Sequence, residues 1–186
     1  MTGQMARFYG LPMRSSGVCA ANVPDGQAMW ETSNSLWAAV QSGTNMVYHA
    51  AGWLEGGLIA LPEKFVMDYE IVQMIQRYME PQITATTPND IAFDAIKEVG
   101  PTGHFFGIKH TQDRYEKAFY EPFVSDWRNF EAWEIAGGEW TANRARRIFK
   151  DIIANFEEPP MDTTIRSELE DFVARRKSEG GAPTDF

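Results

Sequence analysis

Apolar residues recur at helical spacing in two long stretches of the first half. After Pro24-Asp25, the positions Met29, Trp30, Leu36, Trp37 and Val40 predict a helix running to about Gln41, closed by Ser42-Gly43. From Pro62, a residue suited to a first helical turn, Phe65, Met67, Ile71, Met74, Ile75 and Tyr78 form a second stripe that stops at Pro81. Short apolar runs precede both helices. Met13–Val18 reads as an extended segment, and Asn45–Ala51 (NMVYHAA) has the length of a strand. Met1–Tyr9 reads as the end of a helix, punctuated by Gly10 and Pro12. The order helix, strand, helix, strand, helix predicts βα units and a parallel sheet, normally covered on both faces.

The second half patterns differently. Thr87–Val99 predicts a helix broken by Gly100-Pro101, and a Gly- and His-containing loop follows to Thr111. Residues 111–133 are aromatic and irregular, with short helices interrupted at Pro122. Thr141–Phe156 predicts a helix with Ala145, Ile148, Phe149, Ile152 and Ile153 on one side, ended by Pro159-Pro160. Asp162–Lys177 predicts a last helix carrying Ile165, Leu169, Phe172 and Val173, and a polar Gly-rich tail starts at about residue 178.

Composition narrows the function classes. The 186 residues are 44% hydrophobic and 13% aromatic, enough for a sizeable core. Lys plus Arg number 17 against 26 Asp plus Glu, a formal charge of -9. That balance argues against nucleic acid and anionic membranes as partners. No segment approaches the ~18 consecutive apolar residues of a membrane span, and no signal-peptide pattern is present. The lone Cys19 fits a cytoplasmic setting. Walker, GxGxxG, CxxC, HExxH and GxSxG signatures are all missing from the sequence.

Candidate chemistry concentrates in two places. His49 ends the predicted strand, and Gly52, Trp53 and Glu55 follow it. In parallel α/β folds ligands gather beyond the carboxyl ends of strands, which puts Tyr48, His49, Trp53 and Glu55 where chemistry is expected. The alternative is that Tyr48 and Trp53 are core and His49 a hydrogen-bonded buried histidine. The second place is Gly100–His110 (GPTGHFFGIKH), whose glycines permit close backbone approach to a ligand. Tyr48, Trp53, Phe105 and Phe106 are candidates for an aromatic cage around a quaternary ammonium ion. A zinc site built from His49, His104 and His110 is the weaker reading, because the spacing of six between the last two matches no common helical metal pattern. Glu63, Asp68 and Glu70 read as a solvated helix face, Glu63 complementing a helix dipole. Glu55, flanked by Trp53-Leu54 and Gly56-Gly57, is harder to assign to solvent.

PDGQAMWE (24–31), GWLEGGLIALPEKFVMDYE (52–70), EVGPTGHFFGIKHT (98–111) and RRKSEGGAPTDF (175–186) together, in this order, resemble the C-terminal part of the trimethylamine methyltransferase family. The resemblance covers nearly the whole chain and implies an α/β fold. Residues 1–81 would be about the last two βα units of a (β/α)8 TIM barrel, and residues 82–186 a mainly helical C-terminal region. It implies methyl transfer from a small methylated amine to the cobalt of a corrinoid (cobalamin) on a partner protein, with no cofactor or metal bound directly. Tyr48, His49, Trp53, Glu55, His104, Phe105 and His110 would line the substrate site, with no catalytic residue designated. Asn22, within CAANVPD, aligns near the position that carries pyrrolysine in one branch of the family. An ordinary residue there implies the branch without pyrrolysine, and a betaine-like substrate rather than trimethylamine.

Family members are more than twice this length. The expectation is therefore that the chain is inactive unless another chain supplies the first part of the barrel, or that it self-associates to cover the exposed surface. A non-catalytic assembly module is the alternative function.

Overall fold

The computed structural model describes residues 1–80 and 91–180. The expected boundary at 81/82, the stop at Pro81, the start of the helix at Thr87 and the end of the polar tail lie outside them. The chain divides into two units, Met1–Asp151 and Ile152–Phe186.

In the first unit, helix α1 (Thr2–Phe8) leads into strand β1 (Arg14–Ser16). Helix α2 (Gly26–Gln41) starts where the carboxylate of Asp25 accepts the N–H groups of Gln27 and Ala28. That capping bond satisfies donors that have no partner within the helix. Strand β2 (Met46–Tyr48) then pairs parallel to β1, Arg14 opposite Met46 and Ser16 opposite Tyr48. A small antiparallel pair, β3 (Trp53–Leu54) and β4 (Ile59–Ala60), occupies the turn-rich segment before helix α3 (Pro62–Met79). The order β1-α2-β2-α3 is the expected pair of βα units, in a mixed α/β fold.

Helices dominate the rest. They are α4 (Phe93–Val99), α5 (Lys109–Gln112), α6 (Phe130–Ile135) and α7 (Thr141–Ala154), with α8 (Thr163–Ser178) in the second unit. The Asp162 carboxylate caps α8 through the N–H groups of Thr164 and Ile165. Arg175, Arg176 and Lys177 occupy its last turn, where cations complement the helix dipole. Its predicted apolar residues Ile165, Leu169, Phe172 and Val173 are each about half exposed. Among the described residues no helix is long and apolar enough to cross a membrane.

Two buried clusters hold the first unit. Cys19, Ala21, Ala28 and Leu54 form one, with Leu61 against it. Val66, Met67, Val124 and Ala145 form the other, with Met29, Ile148 and Phe149 packed on it. The buried face of α2 is Ala28, Thr32, Leu36 and Ala39, whereas Trp30, expected in the stripe, is 59% exposed. Small residues let α2 lie close to the strands and to α3.

The reading of Asp68 and Glu70 as a solvated face is overturned, because both are buried with Lys64. The reason is local satisfaction of charge. Lys64 Nζ bonds both Asp68 oxygens, at 2.6 Å to Oδ2, and donates to Thr32 Oγ1 at 2.8 Å. Glu70 accepts the N–H groups of Phe123, Val124 and Ser125 at 2.6–3.1 Å, and the Ser125 hydroxyl as well. A carboxylate so partnered tolerates burial. Phe65 and Tyr78 of the predicted stripe stay largely exposed.

Candidate active site

The carboxyl ends of β1 and β2 open into two loops, and both approach the same place. The loop after β1 carries Cys19, Ala20, Ala21 and Asn22. The loop after β2 carries His49, Gly52 and then the Trp53–Ala60 hairpin. Backbone and side-chain bonds stitch them together. Glu55 N–H donates to Ala21 O at 3.0 Å, Gly56 N–H to Cys19 O at 2.8 Å, and Cys19 Sγ to Trp53 O at 3.3 Å. Asn22 Nδ2 donates to Glu55 Oε1 at 2.7 Å.

Four of the expected site residues gather there. The Tyr48 and His49 rings stand edge to face, centroids 4.5 Å apart and planes at 84°. His49 and Trp53 repeat the arrangement at 5.2 Å and 83°. Such contacts use the opposite polarity of ring edge and ring face. The Arg14 guanidinium lies over Tyr48, 5.4 Å from its centroid. Tyr48 is 46% exposed and His49 is exposed, so neither is the core residue of the alternative reading.

The backbone here is unusual. His49 and Glu55 both take φ +50°, a left-handed conformation that costs side-chain-bearing residues energy. Gly52 lies between them at φ +87°, and a Cβ there would approach Phe65 Cβ to 3.1 Å. Its N–H donates to Asp68 Oδ2 at 2.9 Å. Strained residues cluster where surrounding structure over-determines them, often at functional sites.

The Gly100–His110 segment is organised separately. Ile108 is its buried anchor. His104 and Phe106 rings lie 6.1 Å apart. Gln112 Nε2 donates to Phe106 O, and Arg114 Nη1 to His110 O at 3.1 Å. His104 and Phe105 are exposed and His110 is half-buried. Among the described residues no hydrogen bond, ion pair or ring contact joins His104, Phe105 or His110 to the Tyr48–Glu55 group. Nor do three His, Cys, Asp or Glu side chains converge there as metal ligands.

Two carboxylates escaped the reading of the sequence. Asp68 supports the second loop, and Glu31 of α2 supports the first by accepting Ala20 N–H at 2.7 Å and Ala21 N–H at 3.1 Å. Hydrogen bonds, first that from Gln27 and then that from Ala20, hold the Glu31 carboxyl below its ordinary pKa. Burial pushes Asp68 up, against the opposing pull of Lys64. The i, i+4 spacing of Lys64 and Asp68 was visible, but such a pair is most often a surface feature.

Comparison with known proteins places these residues in context. The family whose model matches the chain is trimethylamine methyltransferase (MTTB), over residues 1–181. The chain is 38% identical over 181 residues to the glycine betaine methyltransferase of Desulfitobacterium hafniense (strain Y51), covering 97% of this chain and 37% of that protein. It is 30% identical over 171 residues to a trimethylamine methyltransferase of Methanosarcina mazei, covering 91% and 34%. A trimethylamine methyltransferase of Methanosarcina barkeri is 29% identical, again over 171 residues, 91% and 34%. The chain thus spans about a third of the length of these curated relatives.

Proposed function

The chain belongs to the trimethylamine methyltransferase family, and on that premise we propose that it forms part of an enzyme moving a methyl group from a small methylated amine to the cobalt of a corrinoid on a separate protein. A quaternary amine such as glycine betaine is the preferred substrate, in keeping with the relative at 38% identity. In this reading β1, α2, β2 and α3 are two units of a (β/α)8 barrel, and the site opens at their carboxyl ends.

The observation that carries the proposal is the joining of two loops around Tyr48, His49, Trp53 and Glu55. A tetraalkylammonium ion has no N–H to donate, so its recognition rests on ring faces and on a nearby negative charge. Successive rings at right angles give such a cation two walls. Glu55, anchored through one oxygen by Asn22, directs its other oxygen at no donor among the described residues and can face the cation. Arg14 already occupies one face of Tyr48, which leaves Trp53 as the principal ring. The corrinoid supplies the nucleophile that accepts the methyl group. The exposure of Tyr48 and His49 suits a carrier that approaches from outside the chain. The chain's own residues hold the C–N bond in line and shed water, and positioning of this kind supplies much of a methyl transfer. In this reading His104, Phe105 and His110 lie on the segment that closes over the amine.

Calorimetry with glycine betaine tests this. Trp53→Ala is expected to weaken binding about 10- to 30-fold, the equivalent of ~1.4–2 kcal/mol. Equal affinity in the wild type and this variant would rule the site out. Methyl transfer to cob(I)alamin is expected only when a polypeptide supplying the remaining barrel units is added. A second reading, an assembly module without catalysis, is favoured by exposed apolar residues such as Phe8, Leu58, Phe106 and Trp127. An obligate oligomer with no affinity for betaine would support it.

A further inference from the structure

The two loops of the site are held in the same way from behind. In each unit of strand, loop and helix, a carboxylate on the helix reaches back to N–H groups of the loop that precedes it. Glu31 does so for Ala20 and Ala21, with Gln27 Nε2 donating to its other oxygen at 2.8 Å. Asp68 does so for Gly52, with Lys64 and Thr32 completing a cluster in which every member is at most 1% exposed.

Packing alone gives no reason for the second cluster. A buried ion pair contributes little net stability over apolar residues of the same size. What an apolar residue cannot do is accept the Gly52 N–H, which points inward because the backbone turns at φ +87°. Left without an acceptor, that donor would carry a desolvation cost, and the loop would take another path. The cross-ties from Glu55 and Gly56 to Ala21 and Cys19 mean that neither loop moves without the other.

We infer that Glu31 and Asp68 are positioning residues that fix the two loops bearing Asn22, His49, Trp53 and Glu55, and so set the geometry of the amine site. Neither touches the proposed amine. The inference rests on the reading of this mouth as the substrate site, and its test separates the two.

Four variants decide it: Glu31→Ala, Glu31→Gln, the double Lys64→Met with Asp68→Leu, and the double Lys64→Met with Asp68→Asn. Each is measured for thermal stability, for amide hydrogen exchange at Ala20, Ala21, Gly52, Glu55 and Gly56, and for glycine betaine affinity where all are folded. In Glu31→Ala and the Leu double variant, exchange at these amides should rise at least about tenfold and affinity should fall at least about tenfold. Glu31→Gln and the Asn double variant keep an acceptor oxygen and should return both readouts to within about threefold of wild type. A merely structural role predicts no such rescue pattern and no selective change at these amides. Unchanged exchange in Glu31→Ala and the Leu double variant would overturn the inference. If Trp53→Ala leaves betaine affinity intact, the site reading fails while the exchange data still judge the positioning residues. Should the Leu double variant not fold, the contrast between Glu31→Ala and Glu31→Gln decides alone.

Discussion

His49 and Glu55 take the same left-handed backbone at the two ends of a seven-residue loop. Histidine enters that region more readily than branched residues do. His49→Asn should therefore keep most of the stability, while His49→Val should lose about 1–2 kcal/mol in urea denaturation. Equal stability of the two would show that the φ value carries no strain. Glu55 differs in what it presents. Glu55→Gln retains an oxygen for Asn22 but loses the charge, so it should leave stability within about 0.5 kcal/mol and lower betaine affinity about tenfold. Trp53, the first residue of the hairpin, holds its ring by the T-shaped contact with His49 and its carbonyl by Cys19.

At the scale of elements, α3 carries more than its apolar stripe suggests. One turn holds the Lys64–Asp68 pair, the next holds Glu70 on the 123–125 segment, and Glu63 at the start pairs with Arg146 of α7 at 2.7 Å. These should differ widely in worth. Lys64→Met strands Asp68 in the interior and should cost about 3 kcal/mol or more. Arg146→Ala breaks a bridge whose arginine is 60% exposed, and should cost less than about 1 kcal/mol. For α2, the pH dependence follows from Glu31. Its folded pKa lies below the unfolded one, so its contribution is present above the ordinary glutamate range. That contribution is lost as pH falls through the lower folded value. Protection of the Ala20 and Ala21 amides, taken as exchange relative to the intrinsic rate at each pH, should fall by no more than about threefold across that acid window in the wild type, since protonated Glu31 keeps an acceptor oxygen, and Glu31→Gln should show no such limb. Asp68 runs in the opposite sense, since burial raises it. Its contribution declines as pH climbs through the raised value.

At the scale of the whole molecule, accessible surface is the dominant fact. Large apolar side chains of the first unit lie open to solvent, among them Phe8 at 79%, Leu58 at 85%, Phe106 at 78% and Trp127 at 71% exposure. Among the described residues the parallel sheet consists of β1 and β2, so each strand presents an edge that no described strand pairs. Sedimentation velocity over about 1–100 μM should show mass rising with concentration, because apolar surface on this scale associates. A monomer across that range, without binding of a hydrophobic dye, would contradict it.

The residues 1–80 and 141–178 were largely legible in the sequence. Asp25, Pro62 and Asp162 mark helix starts, and each acts within four residues of itself. Periodicity found α2, α3, α7 and α8, and the short runs found β1 and β2. The resemblance to the family rested on ordered blocks of sequence, and it too needed no coordinates. Tertiary structure decided which charges are buried and which rings meet. Gly52 finds Asp68 sixteen residues away, Asn22 finds Glu55 across thirty-three, and Glu31 reaches back eleven to Ala20. A carboxylate is tolerated inside only when such distant donors converge on it, so its side of the helix cannot be read from its own neighbours. Local signals set where each helix and strand begins. The closure of two loops onto one another, and the charges that hold them there, belong to the folded chain.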